Sequence, residues 1–309
     1  MIENSANYLT GRFAIGFRFR FVNKAISRCP LYLPIEMKEN AHVRALLKGE
    51  HPKKVFGTDD IHKARRCFNE IRCNYDFTYW AINKYYIRDI NDPDKLVTLK
   101  LNFKQHFAIG IIQEFYDRKI VKRFVITKDC GRIGLTTAIQ AYIIWRQTYS
   151  SFPGKSNICG ASDFNLYHMK VNLARFLGRN SIPNSKWIRI DRYNRGAYFN
   201  AYTNPDGPRG IDFRYVHMAD MSKWHDKKGI NSLRAYIANL SGVLLDHRTL
   251  IVLEGNRPKD FPTSHSDLQA YYDKNVKYAT RPLPYLLQKA TVASLDHNDP
   301  DAILCHISL

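Results

Sequence analysis

The sequence predicts an α/β protein whose sheet is mainly parallel and covered by helices on both faces. Two observations carry that expectation. Short apolar runs alternate with stretches of helical periodicity over most of the chain, and strands separated by helices pair in parallel through crossover connections. The chain has 309 residues, 45% of them hydrophobic, which is enough for one large domain with an appendage.

The elements follow in order. Phe17, Phe19 and Phe21 alternate with Arg18 and Arg20, the pattern of a half-buried strand. From Asp60 to Cys73, Ile61, Ala64, Phe68 and Ile71 fall at helical spacing. His62, Lys63, Arg65, Arg66 and Arg72 crowd the rest of that helix, as a solvated or a phosphate-contacting face. Residues 1–75 are expected to form an N-terminal appendage and residues 76–309 the main domain. Arg123 to Thr127 is a strand leading into a turn, and Thr137 to Tyr149 is apolar on most sides, as a buried helix is. Asn157 to Ala161 is a strand, followed by a helix from Asp163 to about Leu177. Strands are expected at Lys186–Ile190, Ala197–Tyr202, Phe213–Met218 and Thr249–Leu253, with a helix marked by Leu233, Tyr236, Ile237 and Leu240 before the last. Beyond Glu254 the tail carries Asp260, Asp267, Asp273, Asp296, Asp299 and Asp301, with no expected strand pattern to organise them into a nuclease-like acidic cluster.

Lys and Arg number 47 against 28 Asp and Glu, a formal charge of +19. Such an excess concerns partners rather than fold and points to a polyanion, with nucleic acid first. No run approaches the ~18 apolar residues of a membrane span, which removes an integral-membrane explanation of the charge. The N-terminus has no signal pattern. Six cysteines occur without a C-x-x-C pair, so zinc is not indicated and reduced thiols are expected.

One stretch carries chemistry. Lys128 to Thr137 lies between a strand and a buried helix, the position of a phosphate-binding loop. Small residues there let backbone N–H groups curl around phosphate oxygens, and the helix N-terminus adds a favourable dipole. Gly131 and Gly134 supply the small residues, and Thr136 or Thr137 can reach Mg²⁺. Against the pattern G-x-x-x-x-G-K-[ST], Asp129 stands at the first Gly and Leu135 at the Lys. Lys128 and Arg132 are the cations available to replace that lysine. Asp220, at the end of the Phe213–Met218 strand, can hold metal or orient water. Glu254 closes the next strand at the carboxyl edge of the sheet, beside a nucleotide crevice.

In this order the three elements resemble the large terminase subunits of tailed phages, DNA-packaging ATPases of the ASCE-type P-loop class. Gly131-Arg132-Ile133-Gly134-Leu135-Thr136-Thr137 is similar to their R-Q-x-G-x-T-T loop, and Ala141 to Trp145 to the helix that follows. Arg209-Gly210, Phe213, His217 and Trp224 match R-G-x-x-[FY]-x-x-x-H-x-S-E-x-A-x-W. There Ala219 and Asp220 stand for the Ser and Glu. Glu254-Gly255-Asn256 is similar to E-G-T. Upstream, Phe77 to Trp80 and Leu101 to Gln105 resemble a segment whose Gln contacts adenine.

The resemblance implies ATP and Mg²⁺ as cofactors. Lys128, Gly131, Gly134, Thr136, Thr137 and Gln105 would bind nucleotide, and Thr136 with Asp220 would bind metal. Asp220, Arg132 and Glu254 would be catalytic. It implies double-stranded DNA as cargo, a homo-oligomeric ring, portal and small-terminase partners, and the cytoplasm of a phage- or prophage-bearing host. Cutting would fall to a separate nuclease chain. The shorter Asp220 withdraws its carboxylate by roughly 1 Å, a displacement that can cost about 10²-fold in rate, so weakened hydrolysis is expected. The alternative is a degenerate, non-hydrolysing module that binds DNA or a packaging partner.

Overall fold

The computed structural model describes residues 13–17, 31–89, 91–92, 94–117, 122–128, 133–149, 154–160, 163–179, 181–182, 184–190, 195–201, 209–221, 249–256, 279–281, 290–294 and 303–309. The chain divides into two compact units, Met1–Leu101 and Asn102–Leu309.

In the first unit, β1 (Phe13–Phe17) pairs antiparallel with β2 (Leu31–Pro34). Arg18 to Phe21, expected in one strand with Phe17, lie outside the described residues. A 3₁₀ turn (Ile35–Glu39) leads into short helices α1 (Ala41–Leu47) and α2 (Pro52–Phe56), then α3 (Ile61–Tyr75) and α4 (Phe77–Lys84). Each start carries a residue that satisfies free helix N–H groups. The Asn40, Asp60 and Asp76 side chains accept from the backbone N–H of His42, His62 and Tyr79 at 3.0, 2.8 and 2.9 Å. Met37, Val43, Leu46 and Phe68 form the core there. The helix expected from Asp60 is present, and His62, Lys63, Arg65 and Arg66 are exposed on it. Arg72 departs from that charged face. It is buried, donates to Asp76 at 3.0 Å and lies 4.0 Å from the Tyr79 ring centroid. A guanidinium with a carboxylate and an aromatic face can leave solvent. The hairpin β3 (Tyr86–Arg88) and β4 (Leu96–Thr98) completes the unit.

The second unit opens with α5 (Phe103–Asp117). Asn102 and Gln105 cap it reciprocally: the Asn102 side chain accepts from the Gln105 backbone at 3.0 Å, and the Gln105 side chain accepts from the Asn102 backbone at 2.9 Å. Then come β5 (Arg123–Lys128), α6 (Leu135–Tyr149), β6 (Lys155–Gly160), α7 (Asp163–Phe176), β7 (Trp187–Arg189), β8 (Gly196–Ala201), β9 (Phe213–Met218) and β10 (Leu250–Asn256). These match the expected elements to within three residues at each end. The helix expected around Leu233 to Leu240 lies outside the described residues.

Correction is needed in the tail, where no strand pattern was expected. β11 (Ala279–Arg281), β12 (Ala290–Ser294) and β13 (Ile303–Ser308) are strands of the same sheet. Its order is β11-β12-β13-β5-β10-β9-β6-β8-β7. The six strands from β13 to β8 run parallel, with antiparallel strands at both edges. The expected mainly parallel α/β sheet flanked by helices is thus present. β5 and β10 sit at its centre, and Phe124, Val125, Ile126 and Leu250 to Leu253 are all buried, as in a strand covered on both faces. α6 is buried almost all round, and two of its amides donate to backbone carbonyls: Gln140 to Met169 at 2.6 Å and Gln147 to Gly154 at 2.8 Å.

Ile307 has no exposed surface and pairs with Ile126 of β5. Ile307→Ala is expected to cost about 2–5 kcal/mol in urea unfolding, the range for a truncated core aliphatic. An effect under about 0.5 kcal/mol would show that the tail does not complete the sheet.

Candidate functional site

The site grows from register. In β10, Glu254 lies opposite Ile126 of β5, and Val252 lies opposite His217 of β9. Side chains two residues apart share a face. Lys128 (two beyond Ile126), Glu254 (two beyond Val252) and His217 therefore stand on one face of three adjacent parallel strands. All three lie toward the carboxyl ends of their strands, where loops gather in a parallel sheet.

Lys128, the last residue of β5, reaches across the strand ends. Its Nζ donates to Glu254 Oε2 at 2.9 Å and lies 3.5 Å from Asp220 Oδ1. Lys128 is 5% and Glu254 1% exposed, so this ion pair sits out of water. From above, the Thr136 hydroxyl in the first turn of α6 donates to Glu254 Oε1. Both carboxylate oxygens of Glu254 therefore have a partner.

Electrostatics follow from burial. Burial alone would raise the Glu254 pKa, but His217 and Lys128 outweigh it and hold the carboxyl at about 2. Burial likewise pulls the Lys128 ammonium down, and Glu254 and then Asp220 more than reverse it, leaving it above the ordinary lysine value. Both groups are charged at neutral pH. Asp220 follows the end of β9 with φ 50°, a left-handed conformation that Asp tolerates better than most residues. Its side chain is 21% exposed, so it forms the wetter wall of the site.

The loop is held from the α5 side. Gln105 Nε2 and Asn102 Nδ2 both donate to the Ile133 carbonyl, at 2.8 and 3.1 Å. Gly134 follows with φ +67°, and a Cβ there would lie 2.7 Å from Gln105 Nε2. The Gly134 carbonyl accepts from the Ala138 N–H and so starts α6. The N–H groups of the first turn of α6, at Leu135, Thr136 and Thr137, have no intrahelical acceptor and are the kind that bind phosphate.

The structure thus brings together Lys128, Thr136, Asp220 and Glu254, and sets Gly134 and Thr137 at the adjoining helix start. Gln105, a nucleotide contact by resemblance, spends its amide on the loop and on its own helix cap. Gly131 and Arg132 lie outside the described residues. Leu135, which the sequence pattern sets at the usual lysine position, is 1% exposed. Sequence reasoning missed two contributors. Asn102 was named only within the Leu101 to Gln105 segment and given no role, although Asn followed by Gln three residues on is a readable cap signal. His217 was matched to a motif without a role. It is fully buried 3.7 Å from Glu254 Oε1, and neither ring nitrogen has a hydrogen-bond partner.

Among the described residues no three His, Cys, Asp or Glu side chains form a metal-holding group. Nor is any helix among them long and apolar enough to cross a membrane. Neither the scan against protein-family models nor the search of curated proteins finds a match to this chain.

Two outcomes follow from this geometry. Gly134→Ala meets both a left-handed φ and the Gln105 amide, and is expected to cost about 1–3 kcal/mol in chemical denaturation; an unchanged midpoint would contradict the described loop. The second concerns pH. The Glu254 pKa falls from an ordinary 4.5 to about 2 on folding, so its contribution is present above pH 4.5 and is lost as pH falls toward 2. Glu254→Gln should flatten that acid limb of the stability profile. An identical limb in the variant would show that Glu254 is not held as an ion.

Proposed function

We propose that the chain is an ASCE-type P-loop ATPase, the motor part of a terminase-like machine that moves double-stranded DNA. One observation carries this. A lysine ending the strand before the loop, a hydroxyl at the helix start after it, and two acids ending neighbouring strands converge on one spot from four separate segments. β10 lies between the loop-bearing β5 and the acid-bearing β9. On this reading β10 would be the additional strand for which the class is named. A parallel sheet places such groups together for many chemistries, so the set of groups, not the fold, supports the reading.

The residues present fit ATP and Mg²⁺. Mg²⁺ in nucleotide sites keeps several waters and takes one or two protein ligands beside the phosphates. A full protein cage is therefore not required, and Thr136 and Asp220 are a sufficient pair. Lys128 would bind phosphate oxygens, and the first-turn N–H groups of α6 would cradle them around Gly134. The metal would supply neutralisation of the charge gathering on the transferred phosphoryl group. Glu254 would orient the attacking water once Thr136 no longer holds it, and would couple hydrolysis to movement of the DNA. Arg132 would supply a further cation, by resemblance. The charge of +19 suits the sequence-independent grip on a DNA backbone that a motor needs. A ring of copies, a portal and small-terminase partner, a separate nuclease chain and the host cytoplasm belong to the same proposal.

A specific observation also favours a non-hydrolysing module that binds DNA or a packaging partner. Lys128, Thr136 and Glu254 already satisfy one another, a self-contained arrangement that is stable without ligand.

Thermal unfolding with and without ATP and Mg²⁺, beside DNA-stimulated phosphate release, separates the readings. Ligand at a hundred times Kd stabilises by about 2.7 kcal/mol, roughly 5–10 °C at this domain size. The motor predicts that shift together with phosphate release. Lys128→Ala should abolish both. Removing Lys128 alone strands the Glu254 charge at a cost of about 3–5 kcal/mol. Lys128→Met/Glu254→Gln, which removes both charges, is therefore the folded control. A shift or DNA binding without turnover selects the module, and no nucleotide shift with no DNA binding sinks both.

A further inference from the structure

His217 has no hydrogen-bond partner on either ring nitrogen and no exposed surface. A buried polar group left so is uncommon and calls for a cause. Its Nε2 lies 3.7 Å from Glu254 Oε1, too far for a hydrogen bond and too near for indifference. That same oxygen is the one taken by the Thr136 hydroxyl. The other oxygen, Oε2, is held by Lys128 at 2.9 Å. Glu254 Oε1 thus has one donor engaged and a second waiting less than 1 Å beyond bonding distance.

We infer that His217 is a positioning residue that offers Glu254 a second seat. When Thr136 is drawn away, Oε1 turns to His217 Nε2, while Oε2 keeps its place in the strand-end cluster. The move is small. His217 and Glu254 share one face of adjacent strands, so a rotation of the carboxylate closes the gap without backbone change. It is also directed. A buried carboxylate that loses a donor needs another, and His217 Nε2 stands 3.7 Å away without a hydrogen-bond partner. With Thr136 in place Nε2 has no hydrogen-bond partner; with Thr136 withdrawn Nε2 gains one.

This inference rests on the nucleotide reading of the same site, because a metal at the Thr136 hydroxyl is what would withdraw it. Glu254 would then hold its carboxylate at a defined angle while the loop is loaded, rather than follow Thr136. An unloaded site would keep Glu254 locked against α6 and out of position for water. The residue that makes this two-seat arrangement possible is on β9, three positions before Asp220.

The test needs no ligand. Thr136→Val removes the first seat by substitution, and His217→Leu removes the second. In the wild-type background His217 Nε2 acts on Glu254 only from 3.7 Å, so His217→Leu should lower the melting temperature by clearly less than it does once Thr136 is gone. In the Thr136→Val background the same change should lower it by about 3–10 °C, the loss of a hydrogen bond to a charged group at this domain size. His217→Gln, which keeps an N–H donor, should recover at least half of that loss. Equal shifts for His217→Leu in both backgrounds would make His217 a core filler and overturn the inference. So would no recovery with Gln. If the double variant does not fold, urea midpoints of Thr136→Ser/His217→Leu against Thr136→Val/His217→Gln serve instead. A Ser that restores more stability than the Gln contradicts the second seat, and the reverse supports it. The ATP and Mg²⁺ shift of wild-type protein is read alongside. Its absence removes the nucleotide reading, whereas the variant cycle decides the His217 seat by itself.

Discussion

A lysine ammonium and a glutamate carboxylate, both withdrawn from water at the ends of adjacent parallel strands, set the conditions for everything else at this site. Lys128 and Glu254 are separated by 126 residues, and their 2.9 Å contact exists only if β5 and β10 are neighbours in the observed register. Such a pair gains little net stability, since desolvation consumes most of the attraction. What it secures is arrangement. Either charge alone would be costly there, so strand pairing that failed to bring them together would be strongly disfavoured. The buried apolar runs of β5 and β10 supply the burial, and the ion pair makes one alignment of those runs acceptable.

The same pair explains how the site can respond to a ligand. On the proposed function, an anion arriving at Lys128 would compete with Glu254, and a cation arriving at Thr136 and Asp220 would compete with Lys128. One ammonium faces two carboxylates here, so binding would exchange partners within an existing cluster and would need no large motion.

Much of the fold was legible because its signals are local. Phe213 to Met218 and Arg123 to Thr127 are short apolar runs ending at turns, and Thr137 to Tyr149 is apolar on most sides, as an interior helix is. The tail was not legible in the same way. β11 and β12 are three and five residues long, and β13 alone, Ile303 to Ser308, has a brief apolar run. Its place beside β5 comes from long-range pairing that no window of sequence contains. For the site, Lys128, Thr136, Asp220 and Glu254 could be named in advance because each sits at the junction of an element and a loop. Their mutual distances could not, since those follow from strand order. Gln105 shows the limit in the other direction: a polar residue beside a strand-to-helix loop can serve the loop itself. Arg72 shows the same for charge, because a basic residue on a helix of basic residues found an acid and an aromatic ring four and seven positions along the chain.

The central question is whether the cluster of Lys128, Thr136, Asp220 and Glu254 receives a triphosphate. A structure of the protein crystallised with Mg²⁺ and a non-hydrolysable ATP analogue addresses that directly. The expected result is phosphate oxygens within hydrogen-bond distance of Lys128 Nζ, with the Thr136 hydroxyl turned from Glu254 to the metal. An analogue bound elsewhere, with the Lys128–Glu254 contact unchanged, would contradict it.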